Sequence, residues 1–169
     1  MQKNQVDALR CFLYLLVAWL LLFLTSLFFR RARFFGARPF LPPILAAVPA
    51  VLEKDLCGIV PGLLLGICCD CLFVSPLLPG VYTLTLTLSA FAAWVFSNKL
   101  FSNGLPCSLV VSLFSFLIVD IPIMLFLFLA RSAASTDLLQ TMGREILVSL
   151  PLILPVYFLD WKIAERFRY

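Results

Sequence analysis

Nineteen consecutive residues from Cys11 to Phe29, CFLYLLVAWLLLFLTSLFF, carry no charged side chain. As a helix this run reaches about 28 Å at about 1.5 Å per residue, close to the depth of a bilayer's hydrocarbon core. A backbone in that layer has no water to bond, and a helix satisfies its amide groups within one segment. Lys3 and Arg10 precede the run, as they would in a signal peptide. The run is too long for a signal core, and no small-x-small cleavage site follows it. A retained first transmembrane helix is therefore predicted. Trp19 lies deep in it and is expected to pack against protein.

The pattern continues along the chain. Of its 169 residues, 63% are hydrophobic and only 13% charged, whereas a soluble domain is about 25% charged. Too little polar surface remains to coat a globule in water. The expected fold is all-α and polytopic: one integral membrane domain with about six transmembrane helices, several kinked or broken by proline. The apolar runs place them at about 11–29, 39–52, 56–74, 80–97, 105–130 and 145–161. The second holds Pro39, Pro42, Pro43 and Pro49, which break backbone hydrogen bonds. It must be shielded by protein or tilted at an interface. Pro122 is expected to kink the fifth span, and Pro151 and Pro155 interrupt the sixth. The stretch 83-TLTLTLS-89 alternates with period two, as a strand does. A lone strand cannot cross a bilayer, so it is read as helix. Positions 131–144 read as a polar loop.

Several chemistries are excluded early. The chain has no histidine, which removes imidazole bases, Ser-His-Asp triads and most zinc and haem sites. Nucleophile-elbow and P-loop patterns are missing as well. Six cysteines lie in or beside apolar runs. The cluster 68-CCDC-71 is half a thiolate site without a second half, and packing is the better reading. No catalytic residue, cofactor or metal is expected, and the chain is not read as an enzyme. The formal net charge of +4 is read as topology and lipid contact, with no nucleic-acid binding.

The motif with the most information is 58-GIVPGLLLGICCD-70. A glycine every fourth residue drifts only about 40° per step around a helix. Gly58, Gly62 and Gly66 then form one slowly winding groove that Asp70 continues. Without side chains there, another backbone can come close. Three occupants are open: this chain's own helices, a partner helix or second copy, and a ligand.

Asp120 sits near the centre of the fifth span, where a carboxylate costs about 2.5–3.5 kcal/mol to insert. It is expected to be hydrogen-bonded, protonated or paired with arginine. The basic loop 30-RRARFFGARP-39 either lies on the membrane surface or is a solvated connector. Its Arg30, Arg31 and Arg33 are candidates for lipid or partner contact. Six spans put both termini on one side. Counting Lys and Arg, the terminal side leads by a single residue, so the positive-inside rule favours cytoplasmic termini.

The order of these features resembles the rod shape-determining MreD family. Its pattern is a Gly-x-Arg-Pro opening to span two, a glycine run with a downstream Asp in span three, and a glycine opening span four. Here these are 36-GARP-39 (Gly36, Arg38, Pro39), 58-GIVPGLLLGICCD-70 and 80-GVY-82. Two positions depart from it: Phe40 stands where the family often has an acidic residue, and Thr25-Ser26 where it often has a glutamine-containing turn. The resemblance implies a non-enzymatic scaffold of cell elongation and peptidoglycan synthesis in the bacterial inner membrane. It implies binding to the transmembrane helix of MreC, beside MreB, a polymerising glycosyltransferase and its transpeptidase. The fold is also similar to the substrate-binding subunits of energy-coupling-factor vitamin transporters, and a small-molecule binder is the rival reading.

Overall fold

Proline decides where the second helix begins. The computed structural model describes residues 3–29, 39–53, 56–72, 79–99, 104–131 and 135–166. Arg30, Arg31, Arg33, Gly36 and Arg38 lie outside the described residues. Helix α2, Pro42–Leu52, opens on two prolines, where the missing amide hydrogens would have had no helical acceptor. Pro49 lies inside α2, and its carbonyl accepts the Glu53 N–H at 3.0 Å. All eleven residues of α2 are buried. Of the two fates open to a proline-rich span, shielding by protein is the one observed.

The shield is built from the other helices. They are α1 (Lys3–Phe29), α3 (Val60–Leu72), α4 (Val81–Lys99), α5 (Leu105–Arg131), α6 (Ser135–Ser149) and α7 (Ile153–Arg166). A 3-10 turn, Leu56–Gly58, precedes α3, and another, Leu150–Leu152, joins α6 to α7. α2 packs on α4, α5, α3 and α7, while α1 lies along α3 and α7. One side of α2 presents Ile44, Leu45 and Val48 to Leu65, Phe116 and Ile153. The other presents Ala47, Ala50 and Val51 to Ala90, Ala93 and Val111. Small residues on that second side let α4 and α5 come close.

Among the described residues, three helical stretches are long and apolar enough to cross a membrane: Gln5–Leu27, Leu105–Leu125 and Leu139–Arg166. This is the pattern of a multi-pass membrane protein. The remaining expected spans are less plain. α2 and α3, at 11 and 13 residues, reach roughly 16 and 20 Å, well short of about 30 Å. α4 has 19 residues but is diluted by Thr83, Thr85, Thr87 and Ser89.

Three expectations change. Gly58 sits in the 3-10 turn, not on α3. The ring of Pro61 would clash with the carbonyl four residues back, so the α-helix starts at Val60. Positions 135–149, read largely as polar loop, are helical, because good helix formers such as Leu139, Gln140, Met142 and Glu145 outweigh their polarity. Trp19 is 50% exposed on α1. The buried face of that helix is Tyr14 and Ala18, and Trp19 is turned about 100° from Ala18.

The threonine-leucine stretch is helical as predicted. Thr85 Oγ1 donates to the Val81 carbonyl at 2.8 Å, and Thr87 Oγ1 to the Thr83 carbonyl at 2.6 Å. Hydroxyls that would be costly in an apolar layer are thus satisfied within their own helix.

Candidate functional site

Three polar or glycine-built features interrupt the apolar interior. The first is the glycine seam. A Cβ on Gly58 would lie 2.9 Å from Ala50 Cα and 3.0 Å from the Pro49 carbonyl oxygen. On Gly62 it would lie 2.6 Å from Ala90 Cβ. On Gly66 it would lie 2.6 Å from Thr83 Cα and 3.0 Å from the Tyr82 carbonyl oxygen. Real Cβ atoms do not come that close, so each glycine is required by contact with α2 or α4. The groove left open in the sequence for a partner or ligand is filled by this chain's own helices.

Asp70 completes the seam. α4 begins just after Gly80, which has φ +89° and no side chain to cap the helix. Asp70 reaches across from α3 instead. The Tyr82 N–H donates to its Oδ1 at 3.1 Å, and the Thr83 N–H donates to its Oδ2 at 2.8 Å. The Thr83 hydroxyl also donates to Oδ2. An anion at a helix N-terminus meets unsatisfied donors and the positive end of the dipole. Asp70 is therefore a cap supplied from another helix, and its chemistry is spent on holding α3 to α4.

The second feature was not singled out in the sequence. Tyr14 Oη donates to Glu53 Oε1 at 2.8 Å, and Arg10 Nη1 stands 3.6 Å from Glu53 Oε2. These ion-pair side chains are only 18% and 10% exposed. Arg10, Tyr14 and Ala18 are four apart on one face of α1, and that spacing was the available signal. Glu53 read only as part of a polar turn after the second span. A hydrogen bond from a buried hydroxyl to a carboxylate is worth about 2 kcal/mol. Tyr14→Phe is expected to lower stability by that amount in thermal or denaturant unfolding of the purified protein. An unchanged midpoint would show that water replaces the bond. Asp160 on α7 is also buried, 2% exposed, and was not singled out either.

The third feature is Asp120. It is 8% exposed on α5, and its Oδ2 has no hydrogen-bond partner among the described residues. It lines a pocket of about 290 Å³ with Phe40, Tyr82, Met124, Met142 and Glu145 among its walls. Of the three fates expected for Asp120, pairing with arginine does not occur among the described residues lining this pocket. Phe40, one of the two departures from the family pattern, forms part of the wall. Its N–H donates to Ser149 Oγ at 2.9 Å, tying the start of α2 to the end of α6. Thr25 and Ser26, the other departure, donate their hydroxyls back to the Leu21 and Phe23 carbonyls, both at 2.8 Å.

Of the cysteines in 68-CCDC-71, Cys69 is buried and Cys71 exposed. No group of three or more potential metal ligands exists among the described residues. The arginines proposed for lipid contact, and Gly36 and Arg38 of the span-two opening, fall outside those residues. Pro39 is described and half-buried. Comparison with protein-family models, with curated proteins and with solved structures gives no match.

Proposed function

We propose that this chain is a non-enzymatic scaffold of the MreD type in the bacterial cytoplasmic membrane. In this reading it has six spans and cytoplasmic termini, and it holds the transmembrane helix of MreC within the cell-elongation complex. The observation that carries the reading is the ordered set Gly36, Arg38 and Pro39, then the glycine run with Asp70, then Gly80. The last two parts are joined by the Asp70 hydrogen bonds to Tyr82 and Thr83. Elements that are separate in the sequence motif are thus one physical device.

The partner's place must differ from the glycine face, which α2 and α4 occupy. A wide shallow groove of about 680 Å³ runs between α3 and α4, lined by Leu63, Leu84, Leu88 and Phe91 around Gly80 and Thr87. Its walls suit an apolar helix, and the small residues at its base allow close approach. Co-expression of tagged chain with full-length MreC is expected to recover MreC in the purified complex. Leu88→Trp, which fills the groove from an exposed position, is expected to lose most of that recovery with its melting midpoint unchanged. Failure of the folded parent chain to retain MreC would overturn the proposal. Retention by the folded Leu88→Trp variant would move the contact elsewhere.

A further inference from the structure

The Asp120 pocket is unexplained by a scaffold role. Four parts of the chain build it. Phe40 precedes α2, Tyr82 opens α4, Asp120, Ile123 and Met124 come from α5, and Thr141, Met142 and Glu145 from α6. Asp120 and Glu145 each lie about 16 Å from the ends where α5 finishes and α6 starts. The two carboxyl groups therefore meet at one depth. Among the described residues, no basic side chain lines the pocket. Arg144, next to Glu145 in the chain, is exposed and outside the lining.

Two carboxyl groups in an apolar recess are either kept protonated or matched by a counter-charge, and a cation that enters the pocket favours the charged state. The composition of the walls narrows its kind. A hard divalent cation takes six or more oxygen ligands, and most of this lining is aromatic, aliphatic or thioether. Water alone would find few partners on Phe40, Ile123, Met124 and Met142. An organic cation uses both halves of the lining. Its charge is met by the carboxyl groups, and its alkyl part by Ile123 and the methionines. The Phe40 and Tyr82 rings pack on each other, 6.3 Å apart and tilted by 50°, and both line the pocket, so its wall includes aromatic surface of the kind that attracts a cation. The volume sits at the small end of ligand pockets, about 300–1,000 Å³.

We propose that this pocket binds a small organic ammonium group, with Asp120 as its buried counter-ion, Glu145 as a second anionic wall and Phe40 and Tyr82 as its aromatic faces. The same chemistry belongs to a free amine and to an aminolipid headgroup. The proposal stands independently of MreC binding.

The purified full chain in detergent should be titrated with choline, ethanolamine and n-butylammonium, following the thermal midpoint and calorimetric heat. Sodium chloride at equal ionic strength and n-butanol serve as controls. A parallel arm compares nanodiscs of phosphatidylethanolamine with nanodiscs of phosphatidylglycerol. A saturable midpoint rise with the soluble amines identifies a free amine as the source. A rise confined to phosphatidylethanolamine identifies a headgroup. Either response should weaken at least about thirtyfold in Asp120→Asn, since truncating one side of a buried charge pair costs binding heavily. That isosteric variant should melt no lower than the parent without ligand. Glu145→Gln should weaken the response by a smaller factor, and it carries the test if Asp120→Asn does not fold. The proposal is overturned by no saturable response from any ammonium source, by an equal response to sodium chloride or n-butanol, or by responses undiminished in the folded variants.

Discussion

Gly66→Leu is expected to eliminate recovery of monodisperse folded protein. Even the first atom of a new side chain would sit 2.6 Å from Thr83 Cα and 3.0 Å from the Tyr82 carbonyl oxygen. Both neighbours are backbone, so no rotamer change relieves the overlap and α4 must move away from α3. That same backbone is pinned by Asp70 through the Tyr82 and Thr83 amides, and separation would break the cap as well. Overpacking costs about 1–3 kcal/mol where a core can shift. Gly66→Ala should therefore lose at least about 3 kcal/mol, and the leucine considerably more. Gly62 provides the contrast. Its nearest obstacle is the Ala90 methyl at 2.6 Å, so Gly62→Ala should recover much of its loss when combined with Ala90→Gly. Gly143 is the control: nothing lies within 4 Å of a Cβ built there. Gly143→Ala should be neutral or stabilise by up to about 1 kcal/mol through helix propensity. Unfolding midpoints for Gly66→Ala, Gly62→Ala, its combination with Ala90→Gly, and Gly143→Ala, measured in one detergent, check the order. A Gly66→Ala midpoint equal to the parent's would refute the close α3–α4 contact.

Asp70→Ala is expected to cost about 2–4 kcal/mol. The substitution takes the acceptor from two backbone N–H groups and one hydroxyl at the start of α4. Charge-assisted bonds contribute about 1.5–3 kcal/mol each before water competes for the freed donors, and a helix cap contributes about 0.5–2. The dipole term adds to this in a partly buried setting. Gly80 has no side chain to take over. Asp70→Asn keeps one carbonyl oxygen and should lose roughly half as much. Hydrogen exchange at the first turn of α4 gives a local readout, because fraying should rise there before the bundle opens. Exchange unchanged in Asp70→Ala would assign the capping to solvent.

Much of the helical layout was legible because its cause is local. An apolar run too long for a soluble core, proline at fixed positions, and threonines that bond back into their own turn act over a few residues. The helix over 135–149 was missed for a related reason. Its polarity suggested a loop, but amphipathic sequence with good helix formers folds as helix when one face has a bundle to rest on. The glycine spacing pointed to close backbone approach, which is a statement about one helix face. It did not carry the identity of the neighbour, because that depends on which distant segments return to the face.

The same limit governed the site. Asp70 and Asp120 stood out alike as carboxylates in apolar runs. Asp70 lies beside the start of α4 and is consumed as its cap. Asp120 lies beside Phe40, Tyr82 and Glu145 and keeps an unpartnered oxygen. Their places along the chain set Asp70 at the end of the glycine face and Asp120 mid-span, but did not say which groups each would meet. Glu53 shows the converse: it read as part of a turn, yet it takes a hydrogen bond from Tyr14, 39 positions away.

The sequence by itself determined an apolar, helical chain without imidazole chemistry, too poor in polar surface to coat a globule in water, and a glycine face built for contact. Desolvation acts on each segment alone and needs no partner to be read. Only the tertiary structure decided that α2 is the buried centre, that α2 and α4 fill the glycine face, and that one of two similar carboxylates is a cap while the other faces a pocket. Those outcomes rest on pairings between distant residues. In an apolar layer an unmet polar group is costly, so its role is set by the neighbour that the fold brings to it.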